Sequence, residues 1–124
     1  MYELFLTTHF AAAHNLRGYE GACERLHGHN WRVDVLLRAE RLDALGMVMD
    51  FRDLKAATKR LLEGLDHRYL NELEAFETEN PTTENVSRWI FENLRGELPD
   101  GVSVYKVAAW ESQGCGASYM EAAL

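Results

Sequence analysis

Residues 29 to 38 read HNWRVDVLLR, and their side chains alternate in character. Trp31, Val33, Val35 and Leu37 fall on one side, Arg32, Asp34 and Arg38 on the other. Successive side chains of a strand point to opposite faces, so this period of two predicts a half-buried strand. Upstream, YELFLTTHFAAA at residues 2 to 13 alternates more loosely, with Leu4, Leu6, Thr8 and Phe10 on one face. It predicts a first strand, antiparallel to the second. Residues 14 to 27 between them are rich in Gly, Asn and charge and predict a long loop.

Downstream the period changes. After GMVMDF, Asp50 is a suitable helix N-cap, and Asp53 suits the positive start of a helix. Phe51, Leu54, Ala57, Thr58, Leu61, Leu62 and Leu65 recur at helical spacing, and the helix should stop near Gly64 to Asp66. Residues 66 to 81 carry no period and are expected to be irregular. NPTTEN then opens a second helix, capped by Thr82 or Thr83, with Val86, Trp89, Ile90 and Leu94 on its apolar face. Pro99, Asp100 and Gly101 break it. VSVYKVAAWE predicts a strand over about 102–111, SQGCG a turn, and ASYMEAA a last strand over about 117–123, together a hairpin. The expected fold is α+β with order β-β-α-α-β-β: an antiparallel sheet with both helices on one face. One sheet face and two edges remain to be covered, and closure into a ring or barrel of copies is one way to do so.

The 124 residues fit one domain, spanning 1–124, with enough chain for a real core. The formal net charge of −7 disfavours a nucleic-acid partner, which would want a basic face. No apolar run is long enough to span a membrane, and no basic-then-apolar leader opens the sequence, so the expected compartment is the cytoplasm. A disulfide between Cys23 and Cys115 is not expected there. No internal repeat or low-complexity segment is present.

Five histidines remain: His9, His14, His27, His29 and His67. His27 and His29 flank Gly28 at a strand entry, where residues two apart share a face. Their imidazoles can converge on one ion, and His14, at the end of the neighbouring strand, is the best third ligand. Three imidazoles with no fourth protein ligand are the pattern of a catalytic zinc site, which keeps a position open. The competing reading is a polar, His-rich loop. Cys23 in CERLHGHN is either a thiol made acidic by a nearby ion or that ion's fourth ligand. His67 follows Asp66 in GLDHRYLN, as an acid/base pair or as a histidine favoured by a helix C-terminus. Glu111, ending KVAAWE, either sits at a pocket floor, where a carboxylate can accept two hydrogen bonds from a flat amide-and-amine edge, or is an exposed strand end. His9, in mid-strand, reads as structural, and Cys115 as a bystander.

Taken in order, HFAAAH, CERLHGHN, GMVMDF, LDHRYLN, NPTTEN and AAWES, with Tyr119 beyond, resemble the 6-pyruvoyltetrahydropterin synthase and 6-carboxytetrahydropterin synthase family over nearly the whole chain. The resemblance implies the tunnelling fold, with trimers forming a barrel and two trimers stacking as a homohexamer. It implies zinc on His14, His27 and His29, Cys23 as catalytic base, and Asp66 and His67 as the partner acid/base pair, contributed by a neighbouring subunit. Glu111 would anchor the small-molecule pterin substrate, with Thr82 near the same ring. The implied substrate is 7,8-dihydroneopterin triphosphate. The short spacing from Cys23 to His27 resembles the branch that forms 6-carboxytetrahydropterin, acetaldehyde and triphosphate on the route to queuosine, rather than the pyruvoyl branch. Glu24 beside Cys23 resembles members that also cleave dihydroneopterin for folate synthesis. Arg17, Arg25 and Arg68 flank the motifs as candidates to hold the triphosphate.

Overall fold

The computed structural model describes residues 1–19, 21 and 25–121. Cys23 and Glu24, on which two expectations rest, lie outside the described residues. Strands β1 (Tyr2–His14) and β2 (His27–Ala39) pair antiparallel along their whole lengths, from Tyr2 opposite Ala39 to His14 opposite His27. Helix α1 spans Phe51–Leu62, and helix α2 spans Thr83–Leu94. Strands β4 (Val102–Trp110) and β5 (Gly116–Tyr119) form the final hairpin, and β4 lies antiparallel to β2.

The alternation carries directly into burial. Trp31, Val33, Val35 and Leu37 are completely buried, together with Leu6, Phe10 and Ala12 from β1. Leu54, Ala57 and Leu62 of α1 and Val86, Ile90, Phe91 and Leu94 of α2 close over the same face, making one core. Each fully buried Val, Leu or Ile contributes about 1.5–3 kcal/mol relative to exposure. The helix starts follow their caps: Asp50 accepts the Arg52 N–H at 2.8 Å, and Thr82 accepts the Asn85 N–H at 3.1 Å.

Three expectations need correction. Residues 66 to 81 are not wholly irregular: they hold a two-residue strand β3 (Arg68–Tyr69) and 3-10 turns at Leu70–Glu72 and Glu74–Phe76. Because β3 runs parallel to β1, the sheet is mixed rather than antiparallel throughout, with order β3-β1-β2-β4-β5. The physical reason is local: Asp66 and His67 bond to Ala11 of β1 and draw the chain alongside its final residues. Two residues are too short for a period to register. The last strand is also shorter than expected, ending at Tyr119.

Gly116 is required by packing. A Cβ there would stand 2.5 Å from the Trp110 ring and 2.9 Å from the Ala109 carbonyl oxygen. The bare glycine lets Trp110 lie against its paired residue, and the Glu111 N–H then donates to the Cys115 carbonyl at 3.1 Å. That hairpin bond fixes the backbone of Glu111 at the strand end.

Candidate metal centre

The β1–β2 register places His14 directly opposite His27, and the strand period puts His29 on the same face. Ring centroids are 4.5 Å apart for His14 and His27, 4.7 Å for His27 and His29, and 5.2 Å for His14 and His29. One ligand nitrogen from each lies within 4.8 Å of the others. Buried Trp31 forms the floor, edge-on to His14 and His29.

Backbone carbonyls set which nitrogen faces inward. His14 Nδ1 lies 2.7 Å from the Pro81 carbonyl oxygen, and His27 Nδ1 lies 2.7 Å from that of Arg25. The tautomer that satisfies these carbonyls puts the proton on Nδ1 and leaves Nε2 with a lone pair. Nε2 of His14 and of His29 is buried with no hydrogen-bond partner among the described residues. Burial holds the pKa of His14 below its ordinary value; the Pro81 carbonyl and Glu111 oppose the shift, while His27 and His29 add to it. Burial likewise lowers that of His29, opposed by Glu111 and assisted by His27. Converging ring nitrogens, two of them buried without a partner among the described residues, are what a divalent cation needs, so the three residues fit a zinc ion.

Glu111 borders the same cluster. Its Oε1 is 3.5 Å from His14 Nε2 and its Oε2 is 3.7 Å from His29 Nε2. The Thr83 hydroxyl donates to Oε1 at 2.8 Å. Thr82, which the resemblance places near the pterin ring, caps α2 through its hydroxyl, and the neighbouring Thr83 is the residue that touches Glu111. Its position directly after the cap in PTTEN was the available signal.

A polar clamp holds the segment behind His14. The Asn71 carboxamide accepts from the Asn15 N–H at 3.0 Å and donates to its carbonyl at 2.9 Å. Asn80 does the same for Arg17, at 2.9 Å both ways. Each side chain mimics a peptide group, extending the strand pairing past the end of β1. Pro81, whose carbonyl orients His14, follows Asn80 directly. Neither asparagine figured among the expected site residues, because a carboxamide in a loop looks the same in sequence whether or not it pairs with backbone.

Asp66 and His67 are not part of the histidine cluster. They sit at the β1–β3 edge, where Asp66 Oδ1 accepts the Ala11 N–H at 2.9 Å and lies 3.0 Å from His67 Nδ1. The Ala11 N–H, ahead of burial and the His67 contacts, sets the balance that holds the Asp66 carboxyl below its ordinary value. His67 has a φ of 57° and an 81% exposed side chain. A left-handed histidine is uncommon and costly, and here the bond from its N–H to the Ala11 carbonyl holds it. His67 and His29 border one shallow depression of about 510 Å³, floored by Ala11, Ala13 and Gly28. His9 is exposed on the sheet face away from the cluster, and Cys115 is exposed in the β4–β5 turn. No helix among the described residues is long and apolar enough to cross a membrane.

Residues 3–122 match the family model described as 6-pyruvoyl tetrahydropterin synthase. The chain is 38% identical over 107 residues to the dihydroneopterin monophosphate aldolase of Pyrococcus furiosus, covering 86% of this chain and 87% of that protein. It is 42% identical over 99 residues to the 6-carboxy-5,6,7,8-tetrahydropterin synthase of Synechocystis, covering 76% and 75%. The structure of the Caenorhabditis elegans 6-pyruvoyl tetrahydropterin synthase superposes with a TM-score of 0.88 at 30% identity, over 98% of this chain and 96% of that one. The fold is therefore the tunnelling fold, and the chain belongs to the 6-pyruvoyl tetrahydropterin synthase family.

Proposed function

We propose that the protein is a zinc-dependent 6-carboxytetrahydropterin synthase, a lyase acting on 7,8-dihydroneopterin triphosphate in deazapurine (queuosine) biosynthesis in the cytoplasm. The observation that carries this reading is the convergence of three imidazoles beside one carboxylate, with the inward nitrogens of His14 and His29 lacking a hydrogen-bond partner among the described residues. When bound, the zinc ion supplies Lewis acidity to the side-chain oxygens of the substrate, acidifying the adjacent C–H and O–H groups. Glu111 accepts hydrogen bonds from the 2-amino and ring N–H groups of the pterin, and this fixes where the side chain falls. Thr82 lies on the same side of the ring. Cys23, as thiolate, takes the proton from the side chain. His67, its Nδ1 held by Asp66, exchanges a proton at Nε2.

His67 faces outward from its own subunit, which suits a pair that serves a neighbour's metal centre. In the described residues β1 has no strand partner on its outer side before Ala12, and β5 has none on its outer side. A homohexamer of two trimers would pair these edges and bring Asp66 and His67 to another copy's site.

Product analysis tests the reading. Zinc-loaded protein given dihydroneopterin triphosphate should release acetaldehyde, triphosphate and 6-carboxytetrahydropterin. A pyruvoyl product would move it to the sister branch, and no turnover would leave a non-catalytic zinc module. A second reading is favoured by Glu24 and by the similarity to an archaeal aldolase. Here the protein also cleaves dihydroneopterin to 6-hydroxymethyldihydropterin for folate synthesis, and Glu24→Ala should abolish that cleavage alone.

A further inference from the structure

Glu111 borders the candidate metal centre directly. Its oxygens are 3.5 and 3.7 Å from the inward nitrogens of His14 and His29, and neither nitrogen has a hydrogen-bond partner among the described residues. Such separations are at or past the limit of a hydrogen bond. They match another geometry: donor atoms about 2.0–2.1 Å from a tetrahedral zinc ion stand about 3.4 Å from one another. The carboxylate is also held in place. Its backbone N–H is bonded across the β4–β5 turn to Cys115, and Oε1 accepts the Thr83 hydroxyl at the start of α2. Only 28% of the side chain is exposed, and among the described residues no lysine or arginine pairs with it. A partly buried carboxylate with no lysine or arginine beside it among the described residues leaves room for the charge of a divalent cation.

We propose that Glu111 closes the three-histidine site as a fourth ligand when no pterin is bound, and gives up the ion to capture the pterin ring. The inference rests on the reading of Glu111 as pterin anchor and deepens it. Binding a flat amide-and-amine edge takes both carboxylate oxygens. The same lone pairs then cannot remain on the ion. Pterin and metal therefore compete for one side chain, and by linkage each weakens the other by the same factor. A pterin with no side chain at C6 leaves the ion one ligand short. Dihydroneopterin carries hydroxyl groups at that position and refills it. Metal closure by Glu111 thus protects the resting site, and the correct substrate is the one that replaces what it displaces.

The experiment measures metal affinity in the full-length protein by competition with a chromophoric chelator, and follows the visible bands of the cobalt-substituted protein. Unsubstituted pterin should lower zinc affinity about 10-fold or more, the scale on which ligand-sphere changes act, and should alter the cobalt spectrum. Dihydroneopterin should not lower the affinity. Glu111→Gln should lower zinc affinity by about 10–100-fold and remove the pterin effect. Glu111→Asp keeps the charge but withdraws the oxygens by one methylene, so it should resemble Glu111→Gln; wild-type affinity in Glu111→Asp would reduce the residue to a distant counter-charge and overturn the proposal. Unchanged affinity and spectrum in Glu111→Gln, or a wild-type affinity indifferent to bound pterin, would also overturn it. The wild-type arm needs no variant to fold. Acetaldehyde release by the wild-type enzyme tests the synthase reading separately, so the two can fail independently.

Discussion

The two chemical corners of this molecule are built in opposite ways. At the β1–β2 strand ends, His14, His27 and His29 are set by a continuous thirteen-residue strand pairing, floored by Trp31 and locked by the carbonyls of Pro81 and Arg25. At the β1–β3 edge, His67 hangs on two residues of parallel pairing, in a left-handed conformation, with its ring in the open. The first corner is complete within one chain and can bind a ligand by itself. The second orients an imidazole and presents it outward. The histidine cluster and the exposed His67 thus sit at different places along the same strand, β1. Under the proposed function, another copy of the chain would oppose the second group to its own first.

The contrast can be broken at either corner. The largest effect is expected from His14→Ala. It removes the ligand that is 1% exposed, and zinc content measured by atomic absorption should fall to background, with turnover lost alongside. His67→Ala should cut turnover by about 10²–10⁴-fold while zinc content stays at the wild-type value and melting temperature changes little, since the ring is exposed and its recorded contact is the surface pair with Asp66. Mixing the two inactive variants sharpens the comparison further. Hybrids reassembled from His14→Ala and His67→Ala subunits should regain a measurable fraction of activity if the corners meet between subunits, and none if each chain serves itself. Asn80→Asp keeps the shape but removes the donor to the Arg17 carbonyl. It should cost about 0.5–1.5 kcal/mol in chemical denaturation, because the exposed Arg17 carbonyl loses its donor and faces a carboxylate. Zinc affinity should weaken with it through the adjoining Pro81 contact.

The smallest effect concerns acid. Because the Ala11 N–H and His67 favour the charged form of Asp66, its folded pKa lies below the ordinary value near 3.8. Its contribution to stability is therefore complete above that value and is lost as the pH falls through the lower folded pKa. Asp66→Asn should lower stability slightly at neutral pH, flatten the acid limb of the stability curve below about pH 4, and converge with wild type at the acid end.

What could be read from residues alone follows the same division. The long strands were legible because alternation over ten or more positions has one physical meaning, and the histidines inherit their convergence from that register. Asp50, and a cap at Thr82 or Thr83, were legible because such side chains compete for backbone N–H groups near a helix start. The β1–β3 edge was not legible. Two residues show no period, a left-handed histidine has no sequence mark, and the parallel pairing depends on Asp66 reaching an amide 55 positions away. The clamp by Asn71 and Asn80 and the Thr83–Glu111 bond were hidden for the same reason: each joins elements distant in sequence through a single polar group. The sheet face holding Thr7, Asp34 and Trp110 adds a further case, with the Asp34 carboxylate accepting from both other residues across three strands.

The central claim is that three imidazoles, and no sulfur, hold the ion. X-ray absorption at the zinc K-edge of the metal-loaded, full-length protein reads this directly. The account predicts a first shell of nitrogen and oxygen scatterers at about 2.0–2.1 Å with histidine multiple scattering. A sulfur scatterer at about 2.3 Å would make Cys23 or Cys115 a ligand, and the failure of zinc to bind at all would leave the converging nitrogens without the role assigned to them.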